Sequence, residues 1–568
     1  MNLRKQGDSA HDFLIVGGGT AGVVLAHRLS ADPQRRVLLL EAGHDIKPGQ
    51  EPRDIRSIFP LSTFNAIHAW PDTLVHWRNA AQSPAVGMPQ GRGLGGTSNI
   101  MGMWAMRGRP EVYDAWAANG ARGWGWSDVL PFFRRLETDH DFISELHGTQ
   151  GPVPIRRQPV DEWSPLAREF RKAARQQGFA DVADMNGDFS DGHCTLPVSR
   201  YTDRRGSAGL CYMTAEVRAR PNLDVMADTQ VAGLVFDDAQ PLRAVGVRVR
   251  DAQGNERMLR SKEVLVCAGA LRSPELLMRA GVGDGPSLQA AGVAVRKHLP
   301  GVGANLQNHP MLFMVSFLRR AGIEPDGIRP AGSSYLRWSS GLGGLPSGDM
   351  GMSIRSWLSW HALGRRMGAV APTVSMPFSR GRVTLTSHGK RLVEFNFLQD
   401  ERDLTRMMQG FRLAAKLYGF LDAVSEAPQV LLNVSNISRL MRYNEPTRFN
   451  AVRARMGATL LDVAPDLGKR WISRLARMAP AHEVVADEQR LADFALGSVS
   501  GTGHACGTCR MGSEGDPLSV VDAQARVLGC QGLRVIDASI MPLVPSGGTH
   551  IPTIMVAEKI ANAILHGE

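Results

Sequence analysis

The sequence contains few cysteines, no long apolar run and no block of like charges. Its 568 residues include six cysteines, and residues 1–8 contain no apolar segment of the kind found in a secretory signal. Both features predict reduced thiols in a cytoplasmic protein. No stretch of about 18 uninterrupted apolar residues is present, so we expect no membrane-spanning helix.

Strong basic clustering is also absent, although the chain carries a formal net charge of +10. The longest basic clusters are short, such as Arg156 with Arg157 and Arg204 with Arg205. A nucleic-acid-binding surface needs a patch or stripe of cations, so we expect no nucleic-acid partner. A diffuse basic surface would instead attract anionic cofactor phosphates or substrates.

Glycine is the residue present in excess, with 61 copies. Several glycines cluster in short motifs, which indicates backbone packed closely against a ligand. The chain length corresponds to two or three domains, because a typical domain holds roughly 100–200 residues. With 43% hydrophobic and 21% charged residues, the composition is that of a globular protein with ample material for a core.

The first glycine motif reads GGGTAG over residues 17–22 and fits the G-x-G-x-x-G pattern of dinucleotide sites. A short apolar run, residues 13–16, precedes it, and a helical pattern follows it. Gly17 permits the tight turn, Gly19 lets the backbone approach a pyrophosphate, and Gly22 lets helix and strand pack closely. We therefore expect the phosphates at the N-terminus of this helix, where free N–H groups and the helix dipole favour negative charge.

Glu41 supports the prediction of a dinucleotide site. It directly follows a second apolar run, residues 37–40, whose composition is typical of a parallel strand covered on both faces. An acidic residue about 20 residues beyond the glycine motif accepts hydrogen bonds from the adenosine ribose in dinucleotide-binding folds. The motif and Glu41 together do not distinguish NAD from FAD.

Three further motifs decide between these cofactors. Residues 91–108 read GRGLGGTSNIMGMWAMRG, residues 501–512 read GTGHACGTCRMG, and residues 532–560 read GLRVIDASIMPLVPSGGTHIPTIMVAEKI. In this order the motifs resemble those of the glucose–methanol–choline (GMC) oxidoreductases, a family of FAD enzymes, and the likeness runs almost from end to end. Within the family the pattern is most similar to that of bacterial aryl-alcohol and 5-hydroxymethylfurfural oxidases.

The resemblance implies an α/β fold, α+β overall. A Rossmann-like FAD-binding domain would carry a discontinuous substrate-binding domain built on an antiparallel sheet. The FAD-binding domain would span residues 10–310, of which 155–205 contribute partly to the substrate domain. Residues 311–488 would form the substrate-binding cap, and residues 489–568 would return to the FAD domain and carry the catalytic pair.

Three local patterns in the second half of the chain add to this arrangement. Residues 311–380 are rich in Gly, Ser, Met and Trp with weak periodicity, and we interpret them as a lid or substrate-domain segment. Residues 402–422 have the spacing of an amphipathic helix. The last strand, residues 533–537, precedes a loop and a C-terminal helix from about residue 552 to 565.

The resemblance also implies how the flavin is held. Members with covalently attached flavin carry His where this chain has Ile100, so we predict non-covalent FAD. The next position, usually Asn, is Met101, and a thioether cannot replace the two donors of an amide. The predicted cofactor-binding residues are Gly17, Gly19, Thr20, Ala21, Gly22, Glu41, Ala42, Gly95, Gly96, Thr97, Ser98, Val231, Ala268, Gly269, Asp537, Ala538, Pro552 and Thr553.

His504 and His550 occupy the positions of the family's catalytic pair. Many members have His and then Asn, whereas this chain has His at both positions. Alcohol oxidation requires removal of the hydroxyl proton and transfer of a hydride to the flavin, and an imidazole suits the first task. We predict that His504 is the principal base and that His550 positions and stabilises the developing alkoxide. The opposite assignment stays open, because adjacent histidines titrate as a coupled pair.

The pair Cys506 and Cys509 has the spacing of a redox dithiol or of half a zinc site. No second C-x-x-C or matching histidine pair accompanies it. We therefore interpret both cysteines as packing residues and expect no metal site in this protein.

These features predict an FAD-dependent oxidoreductase that converts a primary, aryl or allylic alcohol to the aldehyde and passes the electrons to oxygen. One alternative is a dehydrogenase with the same chemistry, a quinone or other acceptor, and choline, an aliphatic alcohol or a sugar as substrate. A second alternative is a flavin lyase or photoenzyme on the same fold, which has no need of two histidines. The expected partners are a small-molecule alcohol and an electron acceptor.

Overall fold

Two large β-sheets organise the part of the chain that the computed structural model describes, which comprises residues 11–237, 242–251, 253–324, 330, 332–432 and 443–567. One sheet has eight strands and is mixed, and the other has ten strands and is almost entirely antiparallel. The predicted fold class, α/β and α+β overall with a discontinuous antiparallel sheet, is confirmed. The segment 1–8, on which the prediction about a secretory signal depends, lies outside the described residues.

The first sheet is built around short parallel strands near the N-terminus. His11–Val16 lies between Val37–Leu40 and Glu256–Val266 and runs parallel to both. Every residue of Val37–Leu40 is buried, as expected for a parallel strand with both faces covered. Across the sheet the strands are Leu223–Met226, Val37–Leu40, His11–Val16, Glu256–Val266, Leu242–Arg250 and Gln230–Phe236, with Leu533–Val535 paired to Glu256–Val266 and Cys530–Gln531 paired to Leu242–Arg250.

Helix Thr20–Leu29 follows the first strand through the glycine turn and packs on the C-terminal helix His550–His566. A Cβ on Gly22 would lie 1.9 Å from the carbonyl oxygen of Gly17, so only glycine allows this approach of helix and turn. An ion pair between Arg28 and the fully buried Glu558, 2.8 Å from Nε to Oε2, joins the two helices. The N-terminal and C-terminal parts of the chain are thereby held on one another.

The second sheet contains most of the segment 311–380, which the sequence patterns left with weak periodicity. Strand Ser334–Trp338 is buried at all five positions, and seven of the eight residues of Met367–Val374 are buried. A strand covered on both faces shows no alternation of apolar and polar residues, which explains the weak signal. In order the strands are Met478–Pro480, Gln429–Leu431, Met314–Phe317, Met367–Val374, Met350–Arg355, Ser334–Trp338, Gly192–Thr195 and Asp181–Val182, with Pro310–Met311 and Ser500–Gly501 attached.

The connectivity of both sheets is discontinuous. Gly192–Thr195 pairs with Ser334–Trp338, which brings residues from the first half of the chain into the second sheet. Leu533–Val535 returns to the first sheet beside Glu256–Val266. The predicted domain boundaries themselves stay a prediction.

Helices and small sheets surround the two large sheets. The amphipathic helix predicted at 402–422 is present as Glu401–Tyr418. None of the described helices is both long and apolar enough to cross a membrane. The other α-helices among the described residues are Arg53–Arg56, Pro110–Ala118, Trp126–Leu136, Pro165–Gln176, Ala208–Tyr212, Ala215–Arg218, Ser273–Arg279, Gly285–Ala290, Arg448–Val463, Pro465–Ala476, Ala481–Val485 and Glu488–Ser498. The small-sheet strands are Leu74–Val75 with Val86–Gly87, Glu137–Asp139 with Val153–Arg156 and Val198–Ser199, Val282–Gly283 with Lys297–His298, and Arg382–Leu385 with Arg391–Glu394.

The C-terminal elements differ from their predicted limits. The last strand ends at Val535 and not at residue 537. The final helix begins at His550, two residues before the predicted start at Pro552. Proline is tolerated throughout the first helical turn, because the N–H groups there have no partner within the helix, so Pro552 did not mark the first residue. His550 consequently lies at the N-terminus of a helix rather than in a loop.

Candidate active site

A cavity of about 1390 Å³ extends from the glycine turn of the first sheet to the inner face of the second sheet. A small-ligand pocket typically measures roughly 300–1,000 Å³, so this cavity has room for a dinucleotide and a second molecule. The predicted cofactor residues that line it are Gly17, Gly19, Thr20, Ala21, Glu41, Ala42, Gly96, Thr97, Ser98, Val231, Ala268, Gly269, Asp537, Ala538 and Thr553.

Three predicted cofactor residues do not line the cavity and lie behind its wall. Gly22 faces the carbonyl oxygen of Gly17. Gly95 has a φ of 103°, a left-handed conformation, and donates its N–H to the carbonyl oxygen of Gly18 at 2.7 Å. Pro552 is buried in the first turn of the C-terminal helix. These residues shape the backbone of the site without facing a ligand.

Glu41 is held in place by backbone N–H groups. Its Oε2 accepts from Gly18 at 2.9 Å, and its Oε1 accepts from Gly43 at 2.8 Å and from Gly93 at 3.0 Å. Burial raises the pKa of Glu41, although these three hydrogen bonds oppose the shift. A carboxylate offers about four acceptor positions. The geometry therefore leaves room for one further donor, such as a ribose hydroxyl.

The N-terminus of helix Thr20–Leu29 fits a phosphate group. Its first turn contains no acidic residue, and Gly19, the residue before the helix, has no side chain that could cap it. The free N–H groups and the helix dipole at this end favour an anion. Gly96 approaches the same turn so closely that a Cβ on it would lie 2.7 Å from the Cα of Gly19. Together with Glu41, this arrangement fits the adenosine and pyrophosphate of FAD.

Both predicted catalytic histidines line the cavity. His504 follows the short strand Ser500–Gly501, and His550 is the first residue of the C-terminal helix. A Cβ on Gly548 would lie 3.6 Å from Nε2 of His504, so the loop leading into this helix contacts His504. The tertiary structure thus brings the two histidine-bearing segments together.

A second histidine ring determines the tautomer of His504. Nε2 of His309 lies 3.0 Å from the carbonyl oxygen of Pro545, which can only accept, so this nitrogen carries the proton. In neutral His309 the other nitrogen, Nδ1, is then an acceptor, and it lies 2.9 Å from Nδ1 of His504. Thr502 Oγ1 donates to Asn308 Oδ1 and is a second acceptor for the same His504 N–H, at 2.9 Å. His504 therefore donates through Nδ1 and keeps the lone pair on Nε2.

The electrostatic environment keeps both catalytic-pair histidines neutral. Burial holds the pKa of His504 well below its usual range, and the charge of Arg355 lowers it further. Burial and the charge of Arg205 lower the pKa of His550 to about 4. Burial also lowers the pKa of His309 to about 4. All three rings are accordingly unprotonated at neutral pH.

His550 is held less tightly than His504. Its Nε2 lies 3.5 Å from Oγ of Ser199. Nearby, the buried Arg205 donates to the carbonyl oxygens of Ile55 at 3.1 Å and Ser98 at 3.2 Å. Burial lowers the pKa of Arg205 to about 9. Arg205 therefore adds positive charge beside His550 and fixes the chain that precedes Met101.

Gln307, Asn308 and His309, which the sequence analysis did not select, connect the parts of the site. Gln307 donates to the carbonyl oxygen of Pro542 at 2.9 Å and accepts from the N–H of Val544 at 3.1 Å. Asn308 Oδ1 accepts from the N–H of His504 at 2.9 Å. All three side chains are buried. The sequence pattern that could have identified them is a run of three polar residues between apolar neighbours, which is typical of a buried polar network.

Ile100 and Met101, the two adjacent positions that depart from the pattern of the resembled family, differ in their exposure to the cavity. Ile100 is buried and does not line the cavity. Met101 lines the cavity, and its Sδ and Cε lie 3.8 Å from where a Cβ on Gly503 would stand. Met101 therefore presents an apolar surface to the residue next to His504.

Cys506 and Cys509 are completely buried and do not line the cavity. Burial raises the pKa of both thiols above the ordinary range. A thiol with a raised pKa is a poor nucleophile and a poor metal ligand. Their surroundings agree with the interpretation as packing residues.

A cluster of potential metal ligands lies outside the cavity. Single ligand atoms of Glu137, Asp139 and His147 lie within 4.8 Å of one another. Burial opposes protonation of His147, but hydrogen bonds to carboxylates, the strongest from Asp139, raise its pKa to about 10. Arg157 adds a second positive charge 2.9 Å from Asp139. These cations already compensate the carboxylates, so the cluster is a buried ion-pair network.

The chain is similar to known proteins over almost its whole length. A family model described as GMC oxidoreductase matches residues 11–311, and a second with the same description matches residues 377–557. A 5-(hydroxymethyl)furfural oxidase from Methylovorus sp. strain MP688 is 35% identical over 579 residues, which cover 98% of this chain and 99% of the relative. A glucose dehydrogenase (FAD, quinone) from Drosophila pseudoobscura pseudoobscura is 31% identical, with coverage of 98% and 87%. The crystal structure of pyridoxine 4-oxidase from Mesorbium loti has a TM-score of 0.80 and 28% identity, with coverage of 98% and 99%.

Substitution of Gly22 tests whether the helix–turn contact shapes the nucleotide site. In Gly22→Ala the new Cβ would meet the Gly17 carbonyl oxygen at 1.9 Å, so the helix must move away from the turn. We expect FAD affinity to fall by at least about tenfold, or ~1.4 kcal/mol, as measured by flavin absorbance per protein after dialysis. Gly497→Ala, in helix Glu488–Ser498 with open space around its Cβ, is the control and should retain FAD. Full flavin content in Gly22→Ala would contradict this role.

Proposed function

The chain belongs to the GMC oxidoreductase family, whose members are FAD enzymes acting on alcohols, and we propose that its own substrate is a primary, aryl or allylic alcohol that it converts to the aldehyde. The family resemblance predicted from the sequence motifs is confirmed, and so is FAD as the cofactor. We also propose that the flavin is bound non-covalently, because Ile100 stands where members with covalently attached flavin carry His.

The observation that carries this proposal is the free lone pair on Nε2 of His504. A general base must present an unprotonated nitrogen to the hydroxyl group at neutral pH. The hydrogen bond from His504 Nδ1 to His309 selects this tautomer, and the lowered pKa of His504 keeps the nitrogen unprotonated. Both properties arise from side chains that lie within the wall of the cavity.

The chain's own residues divide the remaining tasks. FAD, when bound, supplies the acceptor for the hydride from the α-carbon of the alcohol. His504 takes the hydroxyl proton on Nε2, and His309 keeps the ring in its orientation. His550 stabilises the oxygen that becomes negative, and the N-terminus of its own helix contributes the positive end of the helix dipole. His504 is thus proposed as the base and His550 as the stabilising group.

The cavity wall favours an apolar, aromatic substrate. Trp104, Phe313 and Tyr335 line it, together with Met101 and Met311. Aromatic and thioether side chains provide a large apolar contact area for a ring. The relative named as a 5-(hydroxymethyl)furfural oxidase supports the same preference.

Oxygen is the proposed electron acceptor, and a quinone is the alternative. The relatives named as oxidases support oxygen. The relative named as a glucose dehydrogenase (FAD, quinone), at 31% identity, supports the alternative. A cytoplasmic location of the protein stays a prediction.

Anaerobic spectroscopy tests the proposed reaction directly. We expect benzyl alcohol, added to the FAD-loaded protein without oxygen, to bleach the visible flavin bands. In His504→Ala the flavin should stay bound, while reduction should be slower by about 10²–10⁴-fold, the usual contribution of a general base. Admission of air to the reduced wild-type protein then separates an oxidase, which reoxidises, from a dehydrogenase. A near-normal rate of flavin reduction in the His504→Ala variant would show that His504 is not the base.

The pH dependence of flavin reduction tests the protonation state of His504. An unperturbed histidine loses its proton near pH 6.5. Because the pKa of His504 is lowered, its base form persists to lower pH than this. We expect a constant rate of anaerobic reduction by benzyl alcohol above about pH 6.5 and a decline only at more acidic pH. Stopped-flow traces from pH 5 to 9 would check this, and an acid limb centred at or above pH 6.5 would contradict it.

Removal of the His309 ring tests its positioning role. In His309→Ala the Nδ1–H of His504 keeps only Thr502 as an acceptor, so both tautomers and several orientations of His504 become available. We expect the rate constant of flavin reduction to fall roughly 100-fold, the effect of a small misplacement of a reacting group. His309→Gln should recover part of the loss, because its amide can accept from His504. An unchanged rate with retained FAD would contradict this role.

A further inference from the structure

An arginine with no counter-ion among the described residues lies in the wall of the cavity. Arg355 ends strand Met350–Arg355 and lines the cavity beside Ser353, which projects from the same face of the strand. Its Nε is shielded from solvent and makes no hydrogen bond. The guanidinium carbon lies 5.8 Å from the ring centre of Trp104 and 5.4 Å from that of Phe313. Both rings thus lie within the distance of a cation–π contact.

No carboxylate in the described part of the chain compensates the charge of Arg355. Burial alone lowers the pKa of Arg355 to about 10, with no opposing contribution from an acidic neighbour. Arg406, a buried arginine of the same region, pairs instead with Asp349 at 2.9 Å and with Asp403 at 2.5 Å. The positive charge of Arg355 also reaches His504, whose pKa it helps to lower. Among the described residues, the charge of Arg355 therefore stays uncompensated in the wall that it shares with His504.

A cation removed from bulk water and left unpaired costs free energy, which an anionic ligand can offset. The planar fork of a guanidinium matches the two oxygens of a carboxylate. Trp104 Nε1 is a second shielded donor without a partner in the same wall. Phe313 and Trp104 meanwhile offer the apolar surface that an aromatic ring requires. These neighbours together fit a ligand that is both aromatic and anionic.

We propose that Arg355 binds a carboxylate of the substrate, so that the enzyme prefers aryl alcohols that carry a carboxylate elsewhere on the ring. This specifies the substrate class of the proposed function and rests on it. The carboxylate pairs with Arg355, the ring lies against Trp104 and Phe313, and the hydroxymethyl group reaches His504.

The reaction leaves the carboxylate unchanged. The hydroxyl proton passes to Nε2 of His504, the hydride leaves the α-carbon for FAD, and the carbon–oxygen single bond becomes the carbonyl bond of the aldehyde. The formal net charge of +10 on the chain favours the approach of such an anion from solution. Arg355 then acts as a specificity-determining residue near the base.

A matched pair of alcohols tests this proposal by turnover. The substrates are 4-(hydroxymethyl)benzoate and its neutral counterpart 4-(hydroxymethyl)benzamide. We expect the wild-type kcat/KM to be about 10–100-fold higher for the benzoate, the effect of a hydrogen-bonded charge pair, and this ratio to disappear in Arg355→Met. Arg355→Lys should keep part of the ratio, because an ammonium retains the charge without the fork. Equal kcat/KM values in the wild type, or an equal loss for both alcohols in Arg355→Met, would overturn the proposal.

Arg402 offers a matched control. Its guanidinium also lies over an aromatic ring, 3.5 Å from the centre of Phe378, but it is exposed, pairs with Asp400 and does not line the cavity. Arg402→Met removes the same charge from the chain. We expect it to leave the benzoate-to-benzamide ratio at the wild-type value, whereas a ratio lowered as much as in Arg355→Met would overturn the local role of Arg355.

Binding separates this proposal from the proposed function. Calorimetric titration of the FAD-loaded protein uses 4-methylbenzoate and 4-methylbenzamide, which have no hydroxyl group to oxidise. Preferential binding of the benzoate to the wild type, lost in Arg355→Met, supports the anion site even if neither alcohol is oxidised, and in that case the proposed alcohol oxidation fails alone. Equal affinity of the wild type for both compounds overturns the anion site while leaving alcohol oxidation intact.

Discussion

The hydrogen bond between His309 and His504 is the interaction on which the rest of the site depends. It selects the tautomer of His504, because the other nitrogen of His309 is committed to the carbonyl oxygen of Pro545. Gln307 and Asn308 extend the same strip of chain to Val544 and to the backbone of His504. Because these side chains are buried, loss of one partner leaves a donor or acceptor without water to replace it. A short polar segment therefore holds both the loop that carries His504 and the loop that leads into the helix of His550.

The cavity differs electrostatically from the rest of the interior. Elsewhere, several buried charges are compensated, as in the pair of Arg28 with Glu558 and in the cluster around His147. Around the cavity, Arg205 and Arg355 have no carboxylate partner among the described residues, and their charges lower the pKa values of His550 and His504 respectively. This imbalance favours neutral imidazoles and negative charge on a ligand. The same arrangement suits the proposed base, the developing alkoxide and the proposed anionic substrate.

Predictions from local sequence succeeded where the chemistry is local. The turn at residues 17–22 and Glu41 lie close together in the chain, and their spacing alone indicates a strand, a turn and a helix. The same reasoning was less successful in the second sheet, where strands buried on both faces carry no alternating pattern. It also misplaced the start of the C-terminal helix, because Pro552 is acceptable at several positions of a first turn.

The sequence by itself determined the dinucleotide motif, the family and the two histidines proposed as the catalytic pair, because each is encoded in a contiguous motif. Only the tertiary structure decided that His309 contacts His504, that His550 begins a helix, and that no carboxylate of the described residues pairs with Arg355. A hydrogen bond, a burial cost or an uncompensated charge depends on which distant segments meet in space. Strand Met350–Arg355 and the segments around residues 309, 504 and 550 meet only because the discontinuous sheets assemble around one cavity.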